Sequence, residues 1–344
     1  MATYRRQRYL FMSTDPVHVG TGGYRLGRVD NSIVREPGTR VPKIPGTSLH
    51  GAARSNAARL YENPAAAGRD HGKVDKPQGD PICYTFGYIQ QADGSREEVR
   101  AYSGVVNIFD ALVLAFPVYS MAGPVWISTY ERLKEAGFRI SNPEQGNKPE
   151  EWTPPENWEA GKVFLTWQRS DILNLGWLMM EVGGGVSVQA PSNWNNETRW
   201  KAIADHLVLV KESIFSQIVN SNLEVRTSVA IDPERGAAEE GALFTYEALP
   251  RATFLTAEVV LDDDRMDWPL KTEERQRKTF KDKALPGGCW NGPLAVVQSG
   301  LRLIEWLGVG GMGTRGFGRM AMIGDPVEET YGGRDGDAQP GDNS

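Results

Sequence analysis

Residues 291–323 read NGPLAVVQSGLRLIEWLGVGGMGTRGFGRMAMI and carry the clearest pattern in the chain. Pro293 stands near the start of an apolar helical pattern and Gly308 follows its end, as is typical of helix boundaries. A glycine-rich loop, Val309–Gly318, comes next, and a short strand is predicted at 317–323. The stretch therefore predicts a helix, a loop and a strand as the last folded unit.

The first sixty residues predict a matching unit. A strand is expected at 8–14, and a helix over PGTSLHGAARSNAARLYEN (45–63), where Thr47 or Ser48 can cap the free backbone amides. His50 and Arg54 are four residues apart and therefore share one face of this helix. A long charged loop separates the strand from the helix.

The middle of the chain predicts the remaining elements. Strands are expected at 104–109, 111–119 and 251–262, and helices at 125–138 and about 200–218. The segments LEVRTSVAID and ALFTYEAL predict a hairpin with a polar tip, PERGAAEEG. Strand, helix, two strands, helix and strand is the split-βαβ, ferredoxin-like order, so the fold class is predicted to be α+β.

Two segments do not fit this order. The Pro- and Trp-rich residues 139–170 predict an inserted excursion that is mostly coil. Residues 325–344 hold six acids and one Arg, which predicts a disordered acidic tail.

Composition excludes several classes of protein. Of the 344 residues, 40% are hydrophobic, which is ample for a buried core and excludes wholesale disorder. Only Cys83 and Cys289 occur, so neither a disulfide framework nor a CxxC zinc pair is possible. No apolar run approaches the roughly 18 residues that span a bilayer. We expect a soluble cytoplasmic protein without a membrane partner.

Charge is distributed unevenly along the chain. Residues 1–60 hold ten Lys or Arg and three acids, which gives a charge of +7. Because the whole chain has a net charge of −6, the other 284 residues carry −13. Local charge decides where a polyanion docks, so the first sixty residues could bind RNA or phosphate. A solvated basic face would show the same pattern, and charge alone leaves both interpretations open.

A glycine motif and a few single residues limit the ligands and reactions that the chain could support. Gly311, Gly313 and Gly316 satisfy GxGxxG, but the motif follows a helix and leaves no room for a βαβ unit, which excludes dinucleotide binding. Such a loop can still bring backbone amides close to phosphates, or it can be a flexible turn.

His71 and His206 are interpreted as structural histidines. Asp30 lies in a basic loop, where it is either a catalytic carboxylate or a turn former.

Several segments resemble the RAMP superfamily of CRISPR proteins. They are VHVGTGGYRLGRVDNSIVRE (17–36), KIPGTSLHGAAR (43–54) and GVGGMGTRGFGRM (308–320). Residues 110–133 and 215–255 are similar to the repeated backbone subunit of type III-B (Cmr) effector complexes. The glycine loop resembles the sister Csm subunit. The resemblance spans about 8–138 and 205–323.

The resemblance implies an architecture and an activity. Residues 1–138 and 171–324 would form an RRM-like palm with long insertions, and 224–254 a protruding thumb hairpin. Copies would stack along a guide (CRISPR) RNA beside other type III subunits. Each thumb would displace one guide nucleotide, and a loop Asp would cut the target RNA there with a divalent metal, Mg²⁺ or Mn²⁺.

The same resemblance implies roles for particular residues. It assigns cleavage, and possible metal binding, to Asp30, with His18 and Glu247 as helpers. It assigns RNA binding to Lys43, Ser48, His50, Arg54, Gly310, Gly311, Gly313, Thr314 and Arg315. His50 replaces the usual Lys of the family, which weakens a phosphate contact at neutral pH. The alternatives are a structural RNA-binding subunit with an idle Asp30 and, least favoured, a free-standing nucleotide-binding enzyme.

Overall fold

The computed structural model describes residues 4–22, 29–68, 73–74, 76–91, 99–143, 150–232, 234–270 and 290–331. The strands are β1 Tyr4–Ser13, β2 Lys43–Ile44, β3 Gly87–Gln91, β4 Val99–Ser103, β5 Val106–Ile108, β6 Ala111–Ser120, β7 Gly123–Ser128, β8 Arg139–Ser141, β9 Lys162–Leu165, β10 Ile172–Leu175, β11 Leu178–Gly185, β12 Ser187–Gln189, β13 Leu207–Leu209, β14 Glu224–Asp232, β15 Ala237–Ala248, β16 Phe254–Leu261, β17 Met320–Met322 and β18 Val327–Tyr331. The helices are α1 Gly46–Leu60, α2 Pro81–Phe86, α3 Tyr130–Glu135, α4 Ser192–Asn195, α5 Thr198–Ala204, α6 Glu212–Ser221, α7 Pro293–Arg302 and α8 Ile304–Leu307. His71 and Cys289 lie outside the described residues.

A large mixed sheet organises these elements. Its order is β10-β11-β9-β13-β7-β6-β16-β1-β17, with β18 beside β1, β2 beside β6 and β5 beside β16. The stretch β6-β16-β1-β17 is antiparallel throughout. Parallel pairs occur at β13-β7 and β11-β9. The hairpin β14-β15 forms its own two-stranded sheet.

Strand β1 is buried on both faces of the sheet. Tyr9 and Phe11 belong to the same core as Leu49 of α1 and Val297 of α7. Leu10 belongs to a second core. Because successive side chains of a strand point to opposite faces, the run Tyr9–Phe11 is apolar without alternation. The predicted short strand at 8–14 is therefore a strand with a hydrophobic core on each face of the sheet.

Helices α1 and α7 approach each other closely. The Asn56 side-chain amide donates a 3.0 Å hydrogen bond to the carbonyl oxygen of Gly300. A Cβ atom at Gly300 would lie 2.2 Å from the carbonyl oxygen of Ala53. Only glycine permits this approach, so the two helices that follow β1 and β16 along the chain pack as a rigid pair.

Part of the segment 139–170, which the sequence predicts to be a mostly coil excursion, belongs to the large sheet. Residues 162–165 form β9, which pairs with β11 and β13 inside the large sheet. Trp152 and Trp158 are buried and pack with Phe164 and with each other. Burial of such large aromatic surfaces stabilises the segment, because each ring removes much apolar area from water.

Other predicted elements also change. VWIS is the end of β7 rather than helix, because its residues pair with β6. The helix predicted at 200–218 is divided by β13 into α5 and α6. Neither Thr47 nor Ser48 caps α1, where instead the Gly46 amide donates to Asp110 Oδ1 at 2.7 Å.

The predicted acidic tail is partly ordered. Its residues 327–331 form β18, which pairs with β1, and residues 332–344 lie outside the described residues. Glu328 and Glu329 bind Arg5 and Arg6, while Arg8 binds Glu258. Part of the N-terminal positive charge is therefore neutralised within the fold. No helix of the described ranges is long and apolar enough to cross a bilayer.

The glycine at the helix contact provides a test of this packing. Gly300→Ala should lower the free energy of unfolding by about 1–3 kcal/mol, because the added methyl overpacks the α1–α7 contact. Gly51→Ala is the matched control: it lies in α1, and no neighbouring atom comes within 4 Å of the place that its new methyl group would occupy. That control should stabilise the chain by up to about 1 kcal/mol. Urea unfolding measures both, and equal effects would contradict the packing.

Candidate functional site

The hairpin β14-β15 has two different faces. Its register pairs Val225 with Glu247, Thr227 with Thr245 and Val229 with Leu243, and these side chains share one face. We call it the acidic-loop face, because Thr245 contacts Asp30. Phe244 and Tyr246 lie on the other face, the glycine-loop face. The turn between the strands is shorter than predicted, since β15 begins at Ala237.

Asp30 is held on the edge of β15. Its carboxylate oxygen Oδ2 accepts hydrogen bonds from the Thr245 backbone amide at 2.7 Å and the Thr245 hydroxyl at 2.9 Å. The next residue, Asn31, donates its amide to the carbonyl of Thr245 at 3.1 Å. The two hydrogen bonds from Thr245 lower the pKa of Asp30, because they stabilise the charged form. Asp30 is thus an exposed, ionised carboxylate in a defined position.

Glu247 lies buried at the root of the hairpin. Its carboxylate accepts from Arg35 at 2.8 Å and 2.6 Å, and from the Ile33 backbone amide at 3.1 Å. This is a bidentate guanidinium–carboxylate pair, which fixes the orientation of both side chains. The structure thus places Glu247 within reach of the Asp30 loop, with both carboxylate oxygens already bonded. Its predicted helper role stays a prediction.

His18 connects the hairpin to the glycine loop. Its Nδ1 lies 2.7 Å from the carbonyl oxygen of Glu247, and since that oxygen can only accept, Nδ1 is the donor. The carbonyl of His18 in turn accepts the amide of Gly311 at 2.9 Å. His18 is buried, and its ring meets Tyr246 edge-on. The three predicted catalytic residues therefore converge on one strand, β15.

The glycine loop packs against the chain around His18. Gly310 has a φ of +85°, and a Cβ there would lie 2.5 Å from the carbonyl oxygen of His18. Both facts require glycine. The predicted RNA-binding residues of this loop are all exposed: Gly310, Gly311, Gly313, Thr314 and Arg315. The Arg315 guanidinium lies 5.5 Å from the ring centre of Phe244, on the glycine-loop face.

The predicted RNA-binding residues around α1 are more covered. Lys43 binds Glu36 and Asp110 at 2.7 Å and 2.6 Å, and hydrogen bonds to these two carboxylates raise its pKa. Arg54 is 8% exposed, and its Nε donates to the carbonyl of Ala66 at 2.8 Å.

His50 and Ser48 lie nearer the surface of the same helix. Both are half-buried, and the His50 ring meets Phe86 edge-on. Burial, followed by the nearby Arg54 charge, lowers the pKa of His50, so the ring is neutral at pH 7. RNA contact by Lys43, Ser48, His50 and Arg54 stays a prediction, and the exposed glycine loop is the better-placed surface.

The residues around Asp30 offer few ligands to a metal ion. No group of three or more His, Cys, Asp or Glu that could hold a metal ion occurs within the part of the chain that the structure describes. Asp30 nevertheless offers one exposed carboxylate. Mg²⁺ commonly binds through one or two carboxylates together with substrate phosphates, so Asp30 fits as a single protein ligand.

Comparison with known proteins places the chain in a family. The model of the RAMP superfamily matches residues 11–321, and the chain belongs to that superfamily. Among curated relatives, the "CRISPR system Cmr endoribonuclease Cmr4" of Pyrococcus furiosus is 27% identical over 252 residues, 69% of this chain and 75% of that protein. The "CRISPR system Cms endoribonuclease Csm3" of Mycobacterium tuberculosis is 33% identical over 78 residues, 21% of this chain and 33% of that protein.

Solved structures show that the fold is shared. A chain of the type III-B Cmr-beta complex bound to cognate target RNA has a TM-score of 0.57 and 17% identity, covering 92% of this chain and 96% of that one. Oligomeric Cmr4 from Pyrococcus furiosus has a TM-score of 0.50 and 17% identity, covering 95% and 99%. The predicted resemblance to the superfamily and to the type III-B backbone subunit is confirmed.

The buried pair at the hairpin root provides a test of the site. Glu247→Ala should lower the free energy of unfolding by roughly 3–5 kcal/mol, because it leaves the Arg35 charge without its partner. Glu328→Ala, which removes the exposed partner of Arg5, is the control and should cost less than about 1 kcal/mol. Urea denaturation of both variants decides the point. Similar small losses would mean that the Arg35–Glu247 pair contributes little to the site.

Proposed function

We propose that this chain is the repeated RNA-binding subunit of a type III CRISPR ribonucleoprotein, and that it cleaves target RNA with Asp30. The observation that carries the proposal is the hairpin with two faces. One face holds Asp30 through Thr245, and the opposite face carries Phe244 and Tyr246 beside the exposed glycine loop. A guide and a target strand could therefore bind to opposite sides of one hairpin.

The fold supports this assignment. The order β1, α1, β6, β16, α7 and β17 along the chain, with β6-β16-β1-β17 in the sheet, follows the ferredoxin-like pattern. We take this unit, within 1–138 and 171–324, as the RRM-like palm, and β14-β15, within 224–254, as the thumb. The named relatives are endoribonucleases, and one solved neighbour is oligomeric. Further copies, other type III subunits and a guide RNA are accordingly the proposed partners.

The glycine loop fits the guide strand. Its exposed backbone and the Arg315 guanidinium offer donors to phosphate oxygens, and Arg315 is already ordered against Phe244. Phosphate contacts from backbone amides and arginine hold a nucleic acid without reading its sequence. A subunit that must accept any guide sequence needs this kind of contact.

The acidic-loop face fits the target strand. Val225, Val229 and Leu243 are 42%, 41% and 66% exposed there, so apolar side chains lie on the same face as Thr245. Apolar side chains that enter a stacked duplex partly unstack it. The thumb would thus act as a wedge that displaces one guide nucleotide and takes the target strand opposite it out of helical geometry.

Cleavage of the distorted RNA then requires few catalytic groups from the protein. RNA carries its own nucleophile, the 2′-hydroxyl, and the reaction requires that oxygen in line with the scissile bond. The lowered pKa of Asp30 makes its carboxylate a weak base but an ionised hydrogen-bond acceptor. Asp30 would accept a hydrogen bond from the 2′-hydroxyl and orient it. The 2′-oxygen would form a bond to phosphorus as the bond from phosphorus to the 5′-oxygen breaks, and water would take the hydroxyl proton and supply one to the leaving 5′-oxygen. A divalent ion, with Asp30 as its one protein ligand, would neutralise charge on the phosphate.

The role of Asp30 is tested in the assembled complex. Asp30→Asn should keep guide RNA and assembly intact and slow target cleavage by at least about 100-fold, the usual cost of removing one preorganised hydrogen-bonding group from a reacting centre. Asp171→Asn is the control, and this variant should cleave normally. Asp171 is exposed and lies next to β10, at the opposite end of the sheet from β17.

The readout is a denaturing gel of end-labelled target RNA with Mg²⁺. Active complexes should give products that differ by one constant interval, since identical subunits repeat the same distortion. Cleavage by Asp30→Asn at the normal rate would exclude Asp30. A wild-type complex that retains guide RNA yet never cuts would favour a purely structural subunit.

A further inference from the structure

Arg35 joins three separate elements of the site. Its Nη1 and Nη2 bind the Glu247 carboxylate at the hairpin root, and Nη1 also donates to the carbonyl of Ile33 at 3.0 Å. Its Nε donates to the Asn220 side chain at 2.8 Å. Asn220 lies at the end of α6, which leads directly into β14. The guanidinium thus contacts the Asp30 loop, the second hairpin strand and the helix before the first.

These contacts fix the register between the Asp30 loop and β15. The Asn31 amide donates to the carbonyl of Thr245 at 3.1 Å, and the Glu247 amide donates to the carbonyl of Asn31 at 3.2 Å. The Ile33 amide donates to the Glu247 carboxylate at 3.1 Å. Arg35 lies at the end of this row of hydrogen bonds nearest the hairpin root, and Asp30 lies at the other end. A shift of the loop by one residue would separate Asp30 from Thr245.

We propose that Arg35 is a positioning residue for RNA cleavage, which clamps the Asp30 loop to the hairpin so that the Asp30 carboxylate stays on Thr245. The inference rests on the proposed function of Asp30. Arg35 itself is not a phosphate contact, because its side chain is 14% exposed and its donors are directed at Glu247, Ile33 and Asn220. Its action on the reaction passes through the loop.

The geometry requires arginine rather than any cation. Three guanidinium nitrogens reach three different groups, and the fork matches the two oxygens of Glu247. A lysine ammonium is a single point charge and cannot span these acceptors. Arg35→Lys therefore preserves the charge but should loosen the clamp, which separates positioning from simple charge neutralisation.

The test compares Arg35→Lys with a matched variant, Arg132→Lys. Arg132 also forks onto a carboxylate, that of Glu212, and also donates to a carbonyl, that of Val113 at 3.1 Å, but it lies on α3. In the guide-loaded complex, Arg35→Lys should lower the single-turnover cleavage rate at least about tenfold while guide retention changes less than about twofold, because the clamp acts on the loop and not on the guide. Arg132→Lys should leave both unchanged, even if its thermal stability falls equally.

A double-variant comparison separates positioning from a general structural loss. Thr245→Val removes the hydroxyl that holds the Asp30 carboxylate, so it should also lower the single-turnover cleavage rate. Because Arg35 acts through Thr245, the double variant should lower the rate no further than the larger single loss, whereas two independent structural losses would add.

Hydrogen exchange tests the clamp without using activity. The amides of Asn31, Ile33 and Glu247 should exchange faster in Arg35→Lys and remain protected in Arg132→Lys. Unchanged protection, or cleavage at the normal rate, would overturn the positioning role. A wild-type complex that never cuts target would instead refute the proposed function, and exchange would still decide whether Arg35 clamps the loop.

Discussion

The hydrogen bonds between Thr245 and Asp30 are the contact on which the site depends. They attach an exposed loop to a hairpin that forms its own two-stranded sheet. Every other feature supports that attachment: Arg35 and Glu247 fix the register, and His18 links the hairpin root to the glycine loop. Without this network, Asp30 would be one more mobile surface carboxylate, with no defined relation to an RNA strand.

A carboxylate of lowered pKa suits a reaction in which the substrate supplies the nucleophile. Such a group stays charged and accepts hydrogen bonds, and it does not need to remove the proton unaided. The distortion of the RNA then becomes the larger requirement, and the exposed apolar side chains of Val229 and Leu243 lie on the matching face. Under the proposed function, this division between Asp30 and the distortion of the RNA would account for the absence of a fuller catalytic set among the described residues.

Local sequence patterns predicted those helices and strands whose formation depends on residues close to them in the chain. Helices α1 and α7 and strands β1 and β16 follow from apolar spacing and from Pro293 and Gly308. The missed strands share one physical cause, which is pairing with another strand. VWIS becomes strand because it lies between β6, which precedes it, and β13, which follows much later in the chain. Residues 327–331 become strand because they pair with β1, where Glu328 and Glu329 bind Arg5 and Arg6. In the site, resemblance indicated Asp30, but nothing in the spacing of Arg35 or Thr245 indicates partners more than 200 residues away.

Leu243 and Phe244 are consecutive residues on opposite faces of the hairpin, and they allow the most direct test of this account. A photoactivatable side chain placed at one position and then the other, in the complex with guide and target RNA carrying different labels, reports which strand lies on each face. The account predicts crosslinks to target RNA from position 243 and to guide RNA from position 244. Crosslinks to the same strand from both positions would contradict the separation of guide and target by the two faces.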